Sequence, residues 1–199
     1  MRSLQDAFDA RMHTMTKATL SDVDTGRIDR FLPAVFSGYK LRWLGTHGAS
    51  HWARVIFNGL ILSDVTGADP DVLVMFGLFH DSRRINDLHD PPHGERGGKL
   101  AQEMLLEDAD WPQEKTSLLV EACNKHTAVR HHDNVTIQTC WDADRLDLSR
   151  IGATVDCDYL GPWATSHPPI VEAASIRARE KQFPFADVFE ESSLVSNEI

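Results

Sequence analysis

A chain of 199 residues, 42% hydrophobic and 25% charged, has material for one compact core and little room for two. Its formal net charge of −10 disfavours non-specific binding to nucleic acid or to an anionic membrane surface, where a basic face is needed. A small anion held by a local arginine cluster stays compatible with that charge.

Three cysteines, Cys123, Cys140 and Cys157, cannot all pair and lack zinc-ribbon spacing, so reduced thiols and a cytoplasmic protein are expected. No apolar run approaches the roughly 20 residues of a membrane span. The opening MRSLQDAFDARMH has no apolar stretch of the kind a signal peptide carries.

Helical periodicity dominates over strand-like alternation. Residues 2–17 and 22–37 read as two helices. Trp52, Val55, Ile56, Gly59 and Leu60 form one stripe of a helix from about 50 to 64. Asp69-Pro70 has the chemistry of an N-cap followed by proline at the first helical position, and it opens a helix through the apolar run Leu73–Phe79. The segment RRINDLHDPPHG, residues 83–94, is rich in turn formers and reads as a loop. A helix over 94–107 follows, with Leu100, Ala101 and Met104 inward. Asp110-Trp111-Pro112 starts another, carrying Leu119, Ala122 and Cys123 on one face. The spacing of Ile137, Trp141, Leu148 and Ile151 predicts one helix over 137–151, stopped by Gly152. A last helix spans 169–182, and the acidic tail EESSLVSNEI is expected to fray. The expectation is an all-α bundle of about seven or eight helices, folded as a single domain over 1–199.

Polar residues interrupt these apolar faces in a telling way. Asp144 lies within the stripe of the 137–151 helix, three residues after Trp141. His126 continues the face of Leu119, Ala122 and Cys123. His51 sits one turn before Val55, and His80 and Asp81 end the apolar run. Taken singly, each reads most simply as a core residue satisfied by one hydrogen bond. Together they are harder to absorb, because a buried unpaired ion costs several kcal/mol against a domain stability of about 5–15 kcal/mol. A divalent cation compensates such a group directly by taking imidazole nitrogens and carboxylate oxygens as ligands.

At these residues the chain resembles the HD-domain superfamily, whose signature is a first His, an adjacent His-Asp pair and a distant Asp. Here these are His51 in SHWARV, His80-Asp81 in GLFHDSRR, and Asp144 in CWDADRLDLSRIG. Asp144 is taken rather than Asp142 because it directly precedes Arg145, as the family's Asp precedes a basic residue. The resemblance covers about 45–152, with the N-terminal helices of 1–40 and the helix 169–182 packed on that core.

The resemblance implies an all-α, metal-dependent phosphohydrolase. His51, His80, Asp81 and Asp144 would hold one divalent ion of the Mn, Fe, Co, Ni or Zn type. His93 in DPPHGERGG and His126 in NKHT resemble positions that bind a second ion, or serve catalysis, in some members. Arg84 stands where some relatives have Glu, which argues against a 5′-nucleotidase-type reaction and for a phosphate contact. Arg145 matches a phosphate-contacting basic position, and Arg83 and Arg54 are further candidates. The implied substrate is a nucleotide or a similar small phosphorylated metabolite.

Two alternatives stand beside this reading: a metal-holding nucleotide sensor without turnover, and a di-iron oxygenase using all six His and Asp residues. His47, His89, His131 and His132 are expected in loops or at the surface. Asp147 and Arg150 are expected to orient neighbours. Trp43, Trp111 and Trp163 are candidates for an interface between copies of the chain.

Overall fold

The computed structural model describes residues 26–190. The helix expected over 2–17 and most of the acidic tail lie outside the described residues. The rest is all-helical, as expected. In chain order the elements are α1 (Gly26–Ser37), α2 (Ala49–Thr66), α3 (Pro70–Phe79), α4 (His93–Leu105), α5 (Gln113–Lys125) and α6 (Val135–Arg145). Two 3₁₀ turns, Leu148–Ile151 and Cys157–Tyr159, precede α7 (Trp163–Ser166), α8 (Pro168–Arg179) and α9 (Ala186–Glu190). None of the described helices is long and apolar enough to cross a membrane.

Helix α2 forms the centre. Trp52, Val55, Ile56, Leu60 and Leu62 are each at most 1% exposed, so the helix is enclosed on nearly all sides. It packs on α3 and α6, and α5 packs on α3, α4 and α6. Asp69 caps α3 as expected: its carboxylate accepts from the backbone N–H groups of Asp71 and Val72, and Pro70 occupies the first turn. Asn134 caps α6 in the same way, accepting from Thr136 and Ile137. Besides the main core, Ile61, Leu62, Leu146, Leu160 and Trp163 form a second cluster with Ile170 and Ala174 of α8.

Two expectations are corrected. The helix expected over 137–151 ends at Arg145. The Asp147 N–H then bonds to the Asp144 carbonyl, three residues back, and the chain resumes as a 3₁₀ turn to Ile151. This tighter winding rotates Asp147 inward and leaves Ile151 at 55% exposure, although helical spacing had placed it on the buried face. Gly152 closes the turn with φ +80. The second correction concerns the tryptophans. Trp43, Trp111 and Trp163 are all buried within the chain, so none offers its ring to a partner.

Candidate metal centre

Five helices, α2 to α6, and the turns that follow two of them bring His51, His80, Asp81, His93, His126 and Asp144 together. His51 lies in the first turn of α2, and His80 caps the C-terminus of α3 with its backbone N–H on the Phe76 carbonyl, 3.0 Å away. Asp81 follows directly. His93 is the first residue of α4, His126 caps the end of α5, and Asp144 is in the last turn of α6.

The approach of α4 to α3 and α5 depends on small residues. A Cβ at Gly94 would collide with the Cys123 carbonyl, and one at Gly97 with the Phe79 carbonyl. Glycine at both positions lets backbone meet backbone, which places His93 against His126 and Asp81.

Each imidazole is held by its Nδ1. His51 Nδ1 lies 2.7 Å from Asp147 Oδ2, and His80 Nδ1 lies 3.0 Å from the Phe76 carbonyl. His126 Nδ1 lies 2.7 Å from the Cys123 carbonyl, and His93 Nδ1 bonds to the Asp90 carbonyl. Carbonyl and carboxylate oxygens only accept, so all four Nδ1 atoms donate, and all four Nε2 atoms turn inward. This is the arrangement in which an outer partner fixes the tautomer of a metal-binding histidine.

The inward atoms converge in pairs. His51 Nε2 and His80 Nε2 are 3.1 Å apart, and His93 Nε2 and His126 Nε2 are 2.9 Å apart. Two nitrogen lone pairs at that distance repel unless a cation lies between them. Ligands about 2.1 Å from one ion stand roughly 3 Å apart, so both pairs fit a shared ion.

Asp81 joins the two pairs. Its Oδ2 is 3.5 Å from His51 Nε2 and 3.8 Å from His80 Nε2. Its Oδ1 is 3.1 Å from His93 Nε2 and 3.9 Å from His126 Nε2. The result is two buried triads able to hold a metal ion, His51–His80–Asp81 and Asp81–His93–His126, with one carboxylate common to both. Asp144 Oδ1 stands beside the first triad, 3.5 Å from His51 Nε2 and 3.9 Å from His80 Nε2. Its side chain is 18% exposed, against 4% or less for the other five.

The electrostatics agree with an anionic cage lined by neutral rings. Burial pushes His80 down to about 3 and also lowers His126. Burial alone would lower His51 too, but the bonds to Asp147 and Asp81 raise it. Burial opposes ionisation of Asp81 and Asp144, yet the surrounding imidazoles hold Asp81 well below the usual carboxylate range and lower Asp144 as well.

The four candidate arginines have different surroundings. Arg84 is buried beside the centre, with Nη1 3.3 Å from Asp81 Oδ1 and 3.2 Å from His93 Nε2. Its other nitrogens donate to the carbonyls of Asn86 and Leu88. Arg145 borders the centre next to Asp144, but its guanidinium donates to the carbonyls of Val129, Arg130 and Tyr159. Arg54 grips Asp147 with two bonds of 2.6 and 3.1 Å. Arg83 donates to the carbonyls of Ala34 and Val35 and so closes the end of α1. Arg54 and Arg83 thus hold protein groups rather than facing the centre.

Asp147 acts as the expected orienting residue. It accepts from His51 and Arg54, with Arg150 Nη1 3.6 Å away. Two residues escaped the sequence reading. His47 lies in a turn before α2, in line with the loop-or-surface expectation, but it is buried and paired with Asp87 at 2.8 Å. Asp90 fixes the loop before α4, since its carboxylate accepts from Ile85 N–H and Arg96 while its carbonyl holds His93. The motif H-D-P-P-H in the expected loop was the available signal for Asp90.

Comparison with models of known families, with curated proteins and with solved structures finds no match.

Proposed function

We propose that this chain is a metal-dependent phosphohydrolase acting on a small phosphorylated metabolite, of which a nucleotide is the leading candidate. The observation that carries the reading is the sharing of Asp81 between two buried His triads. The resemblance of H…HD…D to the HD-domain superfamily supports it, as does a buried guanidinium, Arg84, beside the same carboxylate.

A divalent ion in such a site supplies a polarised phosphoryl oxygen and a bound water whose pKa falls toward neutrality. The residues of the chain do the rest. His51, His80, Asp81 and Asp144 form one ligand set, with Asp81, His93 and His126 offering a second. Asp147 and three backbone carbonyls keep every Nε2 pointed inward. Arg84 places a fixed positive charge where a phosphoryl oxygen would approach the Asp81 side. Asp144, the most exposed of the six, marks the side from which substrate reaches the cluster.

The test is elemental analysis of protein purified without chelator or metal-affinity resin, followed by a phosphoester panel. One or two divalent ions per chain are expected, with His80→Ala and Asp144→Ala losing metal and activity together. Full activity in a metal-free variant would sink the mechanism.

The completeness of the second triad favours one further reading, a di-iron oxygenase. That reading requires iron, about two per chain, and oxygen uptake; turnover with a redox-inert metal excludes it. A sensor without turnover fails as soon as several cycles are seen with any phosphoester.

A further inference from the structure

Two hollows flank the cluster, separated by the turn Thr127-Ala128 that both touch. One, of about 580 Å³, reaches His93 and Arg84. The other, of about 540 Å³, reaches His126 and Asp144 and runs outward past Val129, Leu148 and Tyr159. The two differ in chemistry.

Tyr159, Arg130 and Arg145 line the second hollow as flat groups in contact, and the fully buried Trp141 backs Arg145 from behind the wall. The Arg145 guanidinium lies 5.7 Å from the centroid of Trp141 and 5.7 Å from that of Tyr159. The Arg130 guanidinium lies 4.5 Å from the centroid of Tyr159. Both guanidiniums also hold protein groups. Arg145 serves three carbonyls, and Arg130 donates to the Asp158 carbonyl at 3.1 Å. Meanwhile the carboxylates of Asp144 and Asp156 face the same space. Two guanidiniums and two carboxylates offset one another here, so the hollow offers an anion no net attraction. A flat, uncharged ring would meet planar π and guanidinium surfaces, on which heteroaromatic rings stack, with Val129 and Leu148 as apolar sides.

We propose that this hollow is the specificity subsite, and that it takes the planar heteroaromatic ring of the phosphoester while the phosphoryl group lies over the cluster toward Arg84. Tyr159 and Arg130 select the ring, and Arg145 is a rivet for the wall rather than a phosphate ligand. The proposal rests on the phosphohydrolase reading for the phosphoryl end only.

Binding tests it without turnover. Manganese-loaded protein is titrated calorimetrically with adenosine and, separately, with inorganic phosphate. Adenosine is expected to bind the wild type, about tenfold more weakly to Tyr159→Ala and to Arg130→Ala, and normally to Tyr159→Phe. Phosphate affinity should stay within about twofold throughout. In turnover of adenosine 5′-monophosphate the loss should fall on KM, with no matching loss for glycerol phosphate. Absence of adenosine binding to the wild type, indifference to both substitutions, or an equal fall in phosphate affinity would overturn the subsite. Ring binding with this mutational pattern, but no hydrolysis of any phosphoester, would uphold the subsite and remove the phosphohydrolase reading.

Discussion

The carboxylate of Asp147 sends no atom toward the centre of the cluster, yet it determines how His51 faces it. One oxygen accepts the His51 Nδ1–H at 2.7 Å, while Arg54 holds both oxygens from behind. Outer partners of this kind typically contribute 10–100-fold to metal affinity. Asp147→Asn is therefore expected to weaken metal binding by about that factor, measured by competition with a coloured chelator, while the helical circular dichroism is retained. An unchanged affinity would assign Asp147 to packing alone. At this scale the sequence was informative where polarity violated a pattern. His80, Asp81, His126 and Asp144 stood out because they interrupt apolar faces. Asp147 was legible only as a neighbour, since its main partner lies 96 positions away and no local spacing encodes that pairing. The roles of Arg54 and Arg83 were hidden for the same reason: their acceptors are set by tertiary contact.

Among the elements, α4 carries the clearest demand. Its first residue is His93, and Gly94 rests directly against the end of α5, where a Cβ would meet the Cys123 carbonyl and come within 3.0 Å of the His126 ring. Gly94→Ala should separate α4 from α5 and cost about 1–3 kcal/mol, the usual range for overpacking. It should also disable the Asp81–His93–His126 triad while sparing His51–His80–Asp81. The check is metal stoichiometry alongside a denaturant midpoint; full stoichiometry with normal stability would contradict the packing argument. Most helices were readable from periodicity and caps, as with Asp69-Pro70 before α3. The stretch after Arg145 was not. Leu148 and Ile151 keep helical spacing, but the bonds of Asp147 to α2 favour a 3₁₀ turn, a tertiary preference that overrides the local pattern.

Across the whole molecule, Asp108 ties the far side of the bundle. Arg27 Nε and Arg30 Nη1 of α1 each lie 3.2 Å from its carboxylate, just beyond the end of α4. Burial opposes its ionisation, but the two guanidiniums and the Asp110 N–H hold it below the usual carboxylate range. A depressed folded-state value means that this stabilisation is fully present above the unfolded value of about 3.9 and fades as pH falls through the folded value. Urea midpoints of wild type and Asp108→Asn should thus differ at pH 7 and converge as pH drops below about 4. A gap that persists at pH 2 would mean the carboxylate contributes by shape and not by charge.

The distance along the chain between His51 and Asp147 has a consequence for biosynthesis. A ribosome releases the first histidine of the centre long before the carboxylate that orients it. Until α6 and the turn after it have emerged, the nascent chain can present His80, Asp81, His93 and His126, but not a fully directed His51. The orientation of His51 is thus acquired only after residue 147 has been made. An ion that took the full centre would find it complete only once residues 51–147, most of the described bundle, had emerged.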